Sequence, residues 1–337
     1  MTDMSHDWTD ERIAELSTRM HMVYSQAANE MQDRLEGWMR DYDRQLKARK
    51  KALKAGVITQ EEFDGWLSDR AMERSWQEGM IETLSRDAVN ADIRARQLIN
   101  DEIPTVMAEN ANMAGYVVDR QSGLDTMFTL YDQDSIRFLA REPIVYPQVD
   151  VPRDLAWNRK KFSSAITQSI LQGESIPDVA KRLKSVFNMD ERASVMAART
   201  SMTYAESSGK RLSYERAKRI GIPIRQEWRA NLDGRTRLEH RQADGQVVEV
   251  GEKFDVGGHR MTGPGDPTAP GHLIYNCRCR IQPVVDYEGI PEAVVHRYNK
   301  LPKSVSYEDW KNGVYRTSPD HKETKSSKRE RGVSQGA

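Results

Sequence analysis

From Ile13 onward the apolar residues recur at steps of three or four: Ile13, Leu16, Met20, Val23, Ala27, Met31, Leu35, Trp38, Tyr42 and Leu46. The mean step of about 3.7 fits a straight helix better than the about 3.5 of a left-handed coiled coil, so the pattern predicts one long amphipathic helix. The basic stretch Lys47 to Lys54 and then Gly56 end it. Thr59-Gln60-Glu61-Glu62 places a hydroxyl at an N-cap and a carboxylate three residues on, the spacing of a capping box. A second long helix follows, carrying Phe63, Trp66, Leu67, Met72, Trp76, Met80 and Leu84 and continuing toward Ile99. Residues 1–103 therefore read as a long helical hairpin, with an apolar stripe expected to be buried against a partner.

Pro104 is expected to end the hairpin, because proline inside a helix removes a backbone donor and crowds the preceding turn. Shorter helices are predicted at 105–118 and 122–140, before the extended connector P-I-V-Y-P-Q-V-D-V-P from Pro143 to Pro152, so 104–151 reads as a linking region. The region 152–221 is helical again. It comprises Leu155 to Gln172, then Val179 to Val186 after the cap and early proline of Ser175-Ile176-Pro177. A further helix from Met189 to about Ile220 is opened by Asn188 and Glu191 and closed by Gly221. Beyond Gly221 the pattern shortens to strand-like pieces at Arg225–Arg229, Gln246–Val250 and Arg280–Val285 between Gly/Pro/Asp turns. Residues 222–290 thus form a small α+β module, and 291–337 a C-terminal extension whose Ser/Lys/Arg-rich tail, from about Thr317, is expected to be disordered. The fold class is α+β and mostly helical: a long N-terminal helical hairpin, a helical middle and a small C-terminal module.

Composition narrows the function classes. The 337 residues are 38% hydrophobic and 30% charged, with 51 basic and 51 acidic side chains. Such a balance gives the whole molecule no field that would draw it onto nucleic acid, so any such contact must be local. Basic clusters occur at Arg44, Lys47, Arg49, Lys50, Lys51 and Lys54, and at Arg159, Lys160 and Lys161. Lys47, Lys50, Lys51, Lys160 and Lys161 are the candidates for phosphate contact, set against the plainer reading of solvated helix faces. No apolar run is long enough to span a bilayer, and the polar, acidic N-terminus is unlike a signal peptide, so a cytoplasmic origin is expected.

The densest chemistry lies between Trp228 and Cys279. Asp233-Gly234-Arg235-Thr236-Arg237 has the residues of a turn, and its arginines are expected to pair with Asp244 or Asp266, or to meet phosphates or an acidic partner surface. Upstream, Arg199, Thr203, Glu206 and Lys210 share one helix face, either as an intrahelical ion-pair row or as the face that docks the C-terminal module. The only two cysteines, Cys277 and Cys279, stand too close in sequence for an ordinary disulfide. Three readings fit them: zinc ligands together with His240 and with His259, His272 or a carboxylate, two buried structural thiols, or a Cys–His nucleophile, for which no oxyanion hole or orienting group is apparent. Gly263 to Gly271, rich in proline, reads as a rigid shaping loop.

The runs W-N-R-K-K-F (157–162), I-L-Q-G-E-S-I-P-D-V-A-K-R-L (170–183), A-R-T-S-M-T-Y-A-E-S (198–207), Y-E-R-A-K-R-I-G-I (214–222) and W-x5-D-G-R-T-R-x2-H (228–240), followed by P-G-D-P and Y-N-C-R-C, resemble the Mu F-like minor head proteins of tailed phages, also called head morphogenesis proteins. The resemblance covers roughly 152–285. It departs from the family at Ala243 and Gln246, and in the insert D-V-G-G-H-R-M-T-G between Phe254 and Pro264. It implies that the motif residues Arg199, Thr203, Glu206, Trp228, Asp233, Arg235, Arg237, His240, Asp244, Gly245, Asp266, Asn276, Cys277, Arg278 and Cys279 serve structure rather than catalysis. It further implies a non-enzymatic minor capsid protein of the virion, inside the phage head or at its portal vertex and assembled in the host cytoplasm. Its expected partners are the portal protein, major capsid or scaffolding proteins and packaged DNA, with no membrane and no small-molecule substrate, and its role is head assembly with DNA packaging or ejection. The rival reading is a metal-dependent hydrolase or nuclease built on His240, Asp244, Cys277 and Cys279. Some relatives carry toxin or ADP-ribosyltransferase domains after the head module; here fewer than sixty residues follow Cys279, so none is expected.

Overall fold

The computed structural model describes residues 3–73, 75–139 and 154–317. Its contacts divide the chain into two compact units, one of 1–14, 100–149 and 197–337 and the other of 15–99 and 150–196. Helix α1 (Met4–Lys54) is followed by α2 (Gln60–Met72) and α3 (Ser75–Ser122), then by strand β1 (Leu124–Asp125), α4 (Gln133–Leu139), α5 (Leu155–Leu171) and α6 (Ile176–Arg219). Helices α1, α3 and α6 each contribute residues to both units.

The unit of 15–99 and 150–196 is helical. Its core joins Met31, Leu35, Met39 and Leu46 of α1 to Trp66 and Leu67 of α2, Leu84 of α3, Phe162 and Ile166 of α5, and Leu183 and Phe187 of α6. The stripe of α1 is therefore covered within the chain, not offered to a partner as its pattern suggested. Its buried line runs through Tyr24 and Ala28 where the spacing pointed to Val23 and Ala27. The capping box forms as expected: the Glu62 amide donates to Thr59 Oγ1 at 3.2 Å and the Thr59 amide to Glu62 Oε2 at 2.8 Å. The helix that follows is interrupted, because Glu73 turns extended and the Gln77 amide group donates to the carbonyls of Arg70 and Glu73 that the break leaves open.

Two expected breaks are absent. Pro104 lies inside α3, and Asn188 lies inside α6. A mid-helix proline costs about 3 kcal/mol, but Ile103, Val106, Met107 and Ala111 around it are all buried, and burial of such side chains contributes about 1.5–3 kcal/mol each for the larger ones. At the second position Phe187, Asp190 and Ser194 are buried on the same helix, and Glu191 pairs with His21 at 2.9 Å instead of capping. The helix predicted over 122–140 is replaced by β1 and the shorter α4, since Gly123, with φ of 70°, closes α3. The Pro-rich connector 143–152 and the tail beyond Thr317 lie outside the described residues.

In the other unit the chain continues with β2 (Ile224–Arg229), α7 (Leu238–Ala243), β3 (Val247–Glu249), β4 (Phe254–Val256), β5 (His259–Met261), α8 (Gly271–Ile274) and β6 (Arg280–Val285). The three predicted strands form one antiparallel sheet in the order β3-β2-β6, with Trp228 opposite Ile281 and Arg229 opposite Arg280. In β2 the period-two pattern sends Ile224, Gln226 and Trp228 inward. The D-V-G-G-H-R-M-T-G insert spans the β4–β5 hairpin, turning at Gly257 and Gly258, both at positive φ. Behind the sheet lies a substantial apolar core of Tyr214, Trp228, Phe254, Val256, Met261, Leu273 and Ile281.

Part of the C-terminal extension is folded too. After α9 (Glu292–Val295), strand β7 (Asn299–Lys300) pairs with β1, and α10 (Tyr307–Asn312) leads into a 3-10 turn at Val314–Thr317. Tyr307, Trp310 and Tyr315 pack with Met113, Phe128 and Leu301 in a cluster of their own.

Candidate functional site

The motif residues cluster between α6, α7 and the segment that enters β6, all in one unit. Asn276 adopts φ of 54°, a left-handed conformation that asparagine tolerates, and so swings the backbone into the two cysteines. The Asn276 amide donates to Thr200 Oγ1 at 3.3 Å, and Thr203 Oγ1 donates to the Cys277 carbonyl at 3.0 Å. Arg237 donates to the Tyr275 carbonyl. These bonds fix the Y-N-C-R-C run against α6.

Within this frame His240 of α7, Cys277 and Cys279 meet, each 2% exposed. His240 Nδ1 lies 3.1 Å from Cys279 Sγ and 3.6 Å from Cys277 Sγ, and the three donor atoms all lie within 4.8 Å of one another. The Trp228 ring stands edge-on to the imidazole, 5.8 Å between centroids. The Cys279 amide points at Cys277 Sγ from 3.4 Å. The hydrogen bond between the two sulfurs, with His240 beside them, holds the Cys277 thiol well below its usual range despite burial, while the same hydrogen bond and burial push Cys279 up. Among the described residues these three are the group that could hold a metal.

Around this centre the arginine pairing differs from expectation. Arg278 forks onto Asp233, at 2.6 and 2.7 Å, and this bond together with the Arg235 amide keeps the Asp233 carboxyl far below the usual carboxylate range. Asp244 instead accepts the Ala230 amide at 2.8 Å. Asp266 takes four donors, the amides and hydroxyls of Thr262 and Thr268; burial alone would raise its pKa, and the four bonds lower it. Gly245, at φ of 77°, donates its amide to the Trp228 carbonyl, and Arg235 is exposed at the turn.

On the α6 face, Arg199 and Glu206 find their partners near the start of the chain and not in the C-terminal module. Lys210 pairs with Glu206 along the helix at 2.8 Å, and Thr203 docks the cysteine segment. The rest of the face is claimed by the first residues of the chain: Glu206 with His6 at 3.0 Å, Lys210 with Asp3 at 3.0 Å and Arg199 with Asp10 at 3.1 Å. Arg280 also reaches Asp3, at 3.3 Å. Asp3, His6 and Asp10 were not singled out from sequence; the surplus of charge at buried helical spacing on α6 was the signal that unlike charges had to come from elsewhere.

The basic candidates belong to the other unit. Lys47 pairs with Asp43 and Lys50 donates to the Gly173 carbonyl, both at 2.6 Å, while Lys161 lies over the Trp157 ring. Lys51 and Lys160 are exposed.

A mostly helical α+β chain whose motif residues brace one another is built as a structural component, and comparison with known proteins gives that class an identity. Residues 160–282 match the model of the family described as Phage Mu protein F like protein, and over them the chain is similar to that family. It is 26% identical over 236 residues to minor head protein GP7 of Bacillus phage SPP1, covering 66% of this chain and 74% of that protein. It is also 27% identical over 201 residues to NAD(+)--arginine ADP-ribosyltransferase EFV of Enterococcus faecalis, covering 58% of this chain but 40% of that protein. The uncharacterized protein YqbB of Bacillus subtilis is 30% identical over 125 residues, 36% of this chain and 40% of that one. No solved structure matches significantly. The family supports a head morphogenesis role, a place in the phage head and association with other head components. No helix among the described residues is long and apolar enough to cross a membrane.

Proposed function

We propose that this chain is a minor head protein that binds the portal vertex and assists head assembly and DNA packaging or ejection. The observation that carries the reading is the similarity to the SPP1 minor head protein across 74% of that protein's length. The geometry agrees with it, since the motif residues spend their hydrogen-bonding groups on one another and on backbone. The hydrolase reading is not favoured: among the described residues no carboxylate joins His240, Cys277 and Cys279 in a donor group, and Asp233 is taken by Arg278. The transferase activity named for EFV is not carried over, because this chain covers 40% of that protein.

Partner contact falls to exposed positions rather than to the covered stripe of α1. The turn bearing Arg235, with Leu232 and Leu238 exposed beside it, suits a protein surface. Lys51 and Lys160 suit DNA phosphates. The test is co-expression of the full chain with the portal protein of the same phage, followed by affinity capture. Capture of portal protein, weakened by Arg235→Glu, is expected. A folded chain that never retains portal protein would overturn the proposal. Deleting residues 1–100 cannot serve as the test, because it would strip α1 from both units and the part of α3 before Asn100 from one.

A further inference from the structure

We propose that His240, Cys277 and Cys279 hold one zinc ion, with a water molecule at the fourth position. The spacing supports it first. With Zn–S bonds of about 2.3 Å and Zn–N bonds of about 2.0 Å, a tetrahedral site separates sulfur from nitrogen by about 3.5 Å. The two Nδ1–Sγ distances, 3.1 and 3.6 Å, bracket that value.

The donor chemistry argues in the same direction. One ring nitrogen faces two sulfurs, and it carries either a proton or a lone pair, so bare thiols cannot both be satisfied by it. A cation accepts all three lone pairs at once. The Cys279 amide directed at Cys277 Sγ supplies the kind of outer hydrogen bond that steadies a metal-bound thiolate. On the far side of the imidazole, buried Nε2 has no hydrogen-bond partner. The ring is therefore placed by its packing against Trp228 and by what Nδ1 meets.

The fourth position is provided for. A cavity of about 20 Å³ adjoins the three donors, lined also by Asn231, Thr236, Arg237 and Asn276. One water needs about 10–15 Å³ and two or more polar partners, both of which this cavity offers. Two thiolates and an imidazole select a soft or borderline ion over magnesium or calcium, and zinc needs no redox partner. Among the described residues no carboxylate joins this donor group, and the ion ties α7 to the segment entering β6.

The test uses the full chain, purified under reducing conditions from zinc-supplemented cells. One zinc per chain by elemental analysis is expected, with a lower thermal midpoint after chelation. Replacement by cobalt should give sulfur-to-metal charge transfer and the visible bands of a tetrahedral ion. Cys279→Ser should weaken the charge-transfer band, and His240→Ala should lose the ion. Folded wild-type protein that is metal-free and takes up neither zinc nor cobalt would overturn the proposal, as would a cobalt spectrum unchanged in both variants. Should the variants fail to fold, the metal content and chelator response of the wild type decide alone.

Discussion

Gly209 lies inside α6, where intrinsic propensity favours alanine over glycine by about 1 kcal/mol. The surroundings reverse that sign. A Cβ added at 209 would sit 2.3 Å from the Met107 carbonyl oxygen and 3.1 Å from the Ala111 nitrogen, both backbone atoms of α3, where ordinary contact is 3.4–4 Å. To admit it, α3 and α6 must part locally by about 1 Å, loosening the packing around them. The Ser213 hydroxyl, which reaches the Ala111 carbonyl at 2.5 Å, would be drawn away from it. Overpacking of this kind costs about 1–3 kcal/mol and a weakened buried hydrogen bond about 1 kcal/mol. Set against the propensity gain, Gly209→Ala should destabilise by about 2 kcal/mol. Gly37 and Gly65 provide the opposite control, since a Cβ at either meets nothing within 4 Å. Alanine there should stabilise by about 0.5–1 kcal/mol. Urea unfolding checks all three as a change of midpoint at constant slope. A Gly209→Ala midpoint at or above that of the wild type would refute the close approach of the two helices.

The buried ion network predicts how stability responds to pH. Burial alone would lower the His6 pKa, but Glu206 beside it, with a smaller contribution from Asp10, raises it above 6.5 in spite of Lys210. Its contribution should be complete below pH 6.5 and fade as pH rises through the raised value, and His6→Gln should flatten that part of the urea-midpoint profile. Asp3 behaves oppositely: burial would raise it, but Lys210, Ser5 and Arg280 bring it from 3.8 to about 2, so about 2 kcal/mol should vanish as pH falls between those values. Lys210→Met, which takes the ammonium away from buried Glu206 and leaves it beside His6, should cost about 3–5 kcal/mol in the same assay, and a loss below 1 kcal/mol would mean the pair is solvated. Trp310→Ala removes the ring packed on Tyr116 and Phe128 and the indole bond to Asp119, whose carboxyl burial pushes up to about 7. It should cost about 3–5 kcal/mol and expose 299–317 to limited proteolysis before the rest of the chain, and uniform cleavage would contradict the separate aromatic cluster.

Elements whose cause is local could be read directly from the chain. The Thr59–Glu62 capping box needs only its own four residues, and β2 shows its alternation within six. Pro104 and Asn188 misled because a local penalty was set against burial that neighbouring residues alone do not reveal. At Pro104 the expected break costs less than releasing Ile103, Val106 and Met107 from the core. The aromatic run around Trp310 was passed over for a related reason. Its partners, Met113 and Phe128, lie nearly two hundred residues earlier, and without them a short Ser-capped helix reads as an extension.

The aspartates show most clearly where residue type stops being informative. Asp233, Asp244 and Asp266 all lie at or beside turns; Asp244 and Asp266 were expected to pair with arginine, and Asp233 to shape its turn. In a turn the nearest donors are backbone amides and threonine hydroxyls, which reach a carboxylate with little loss of side-chain freedom, whereas a distant arginine must first be ordered. Asp266 is accordingly satisfied locally, by Thr262 and Thr268, while Asp244 takes the backbone amide of Ala230 from a neighbouring segment. Asp233 is only partly satisfied locally, by the Arg235 amide and Thr236, and its two oxygens remain presented to one side. Arg278 reaches them because it sits between the two cysteines, whose burial turns the alternate side chain outward. The ion pair is therefore a consequence of how the thiols are held. If zinc fixes Cys277 and Cys279, its removal should loosen the Arg278–Asp233 fork as well, so the two features are expected to fail together.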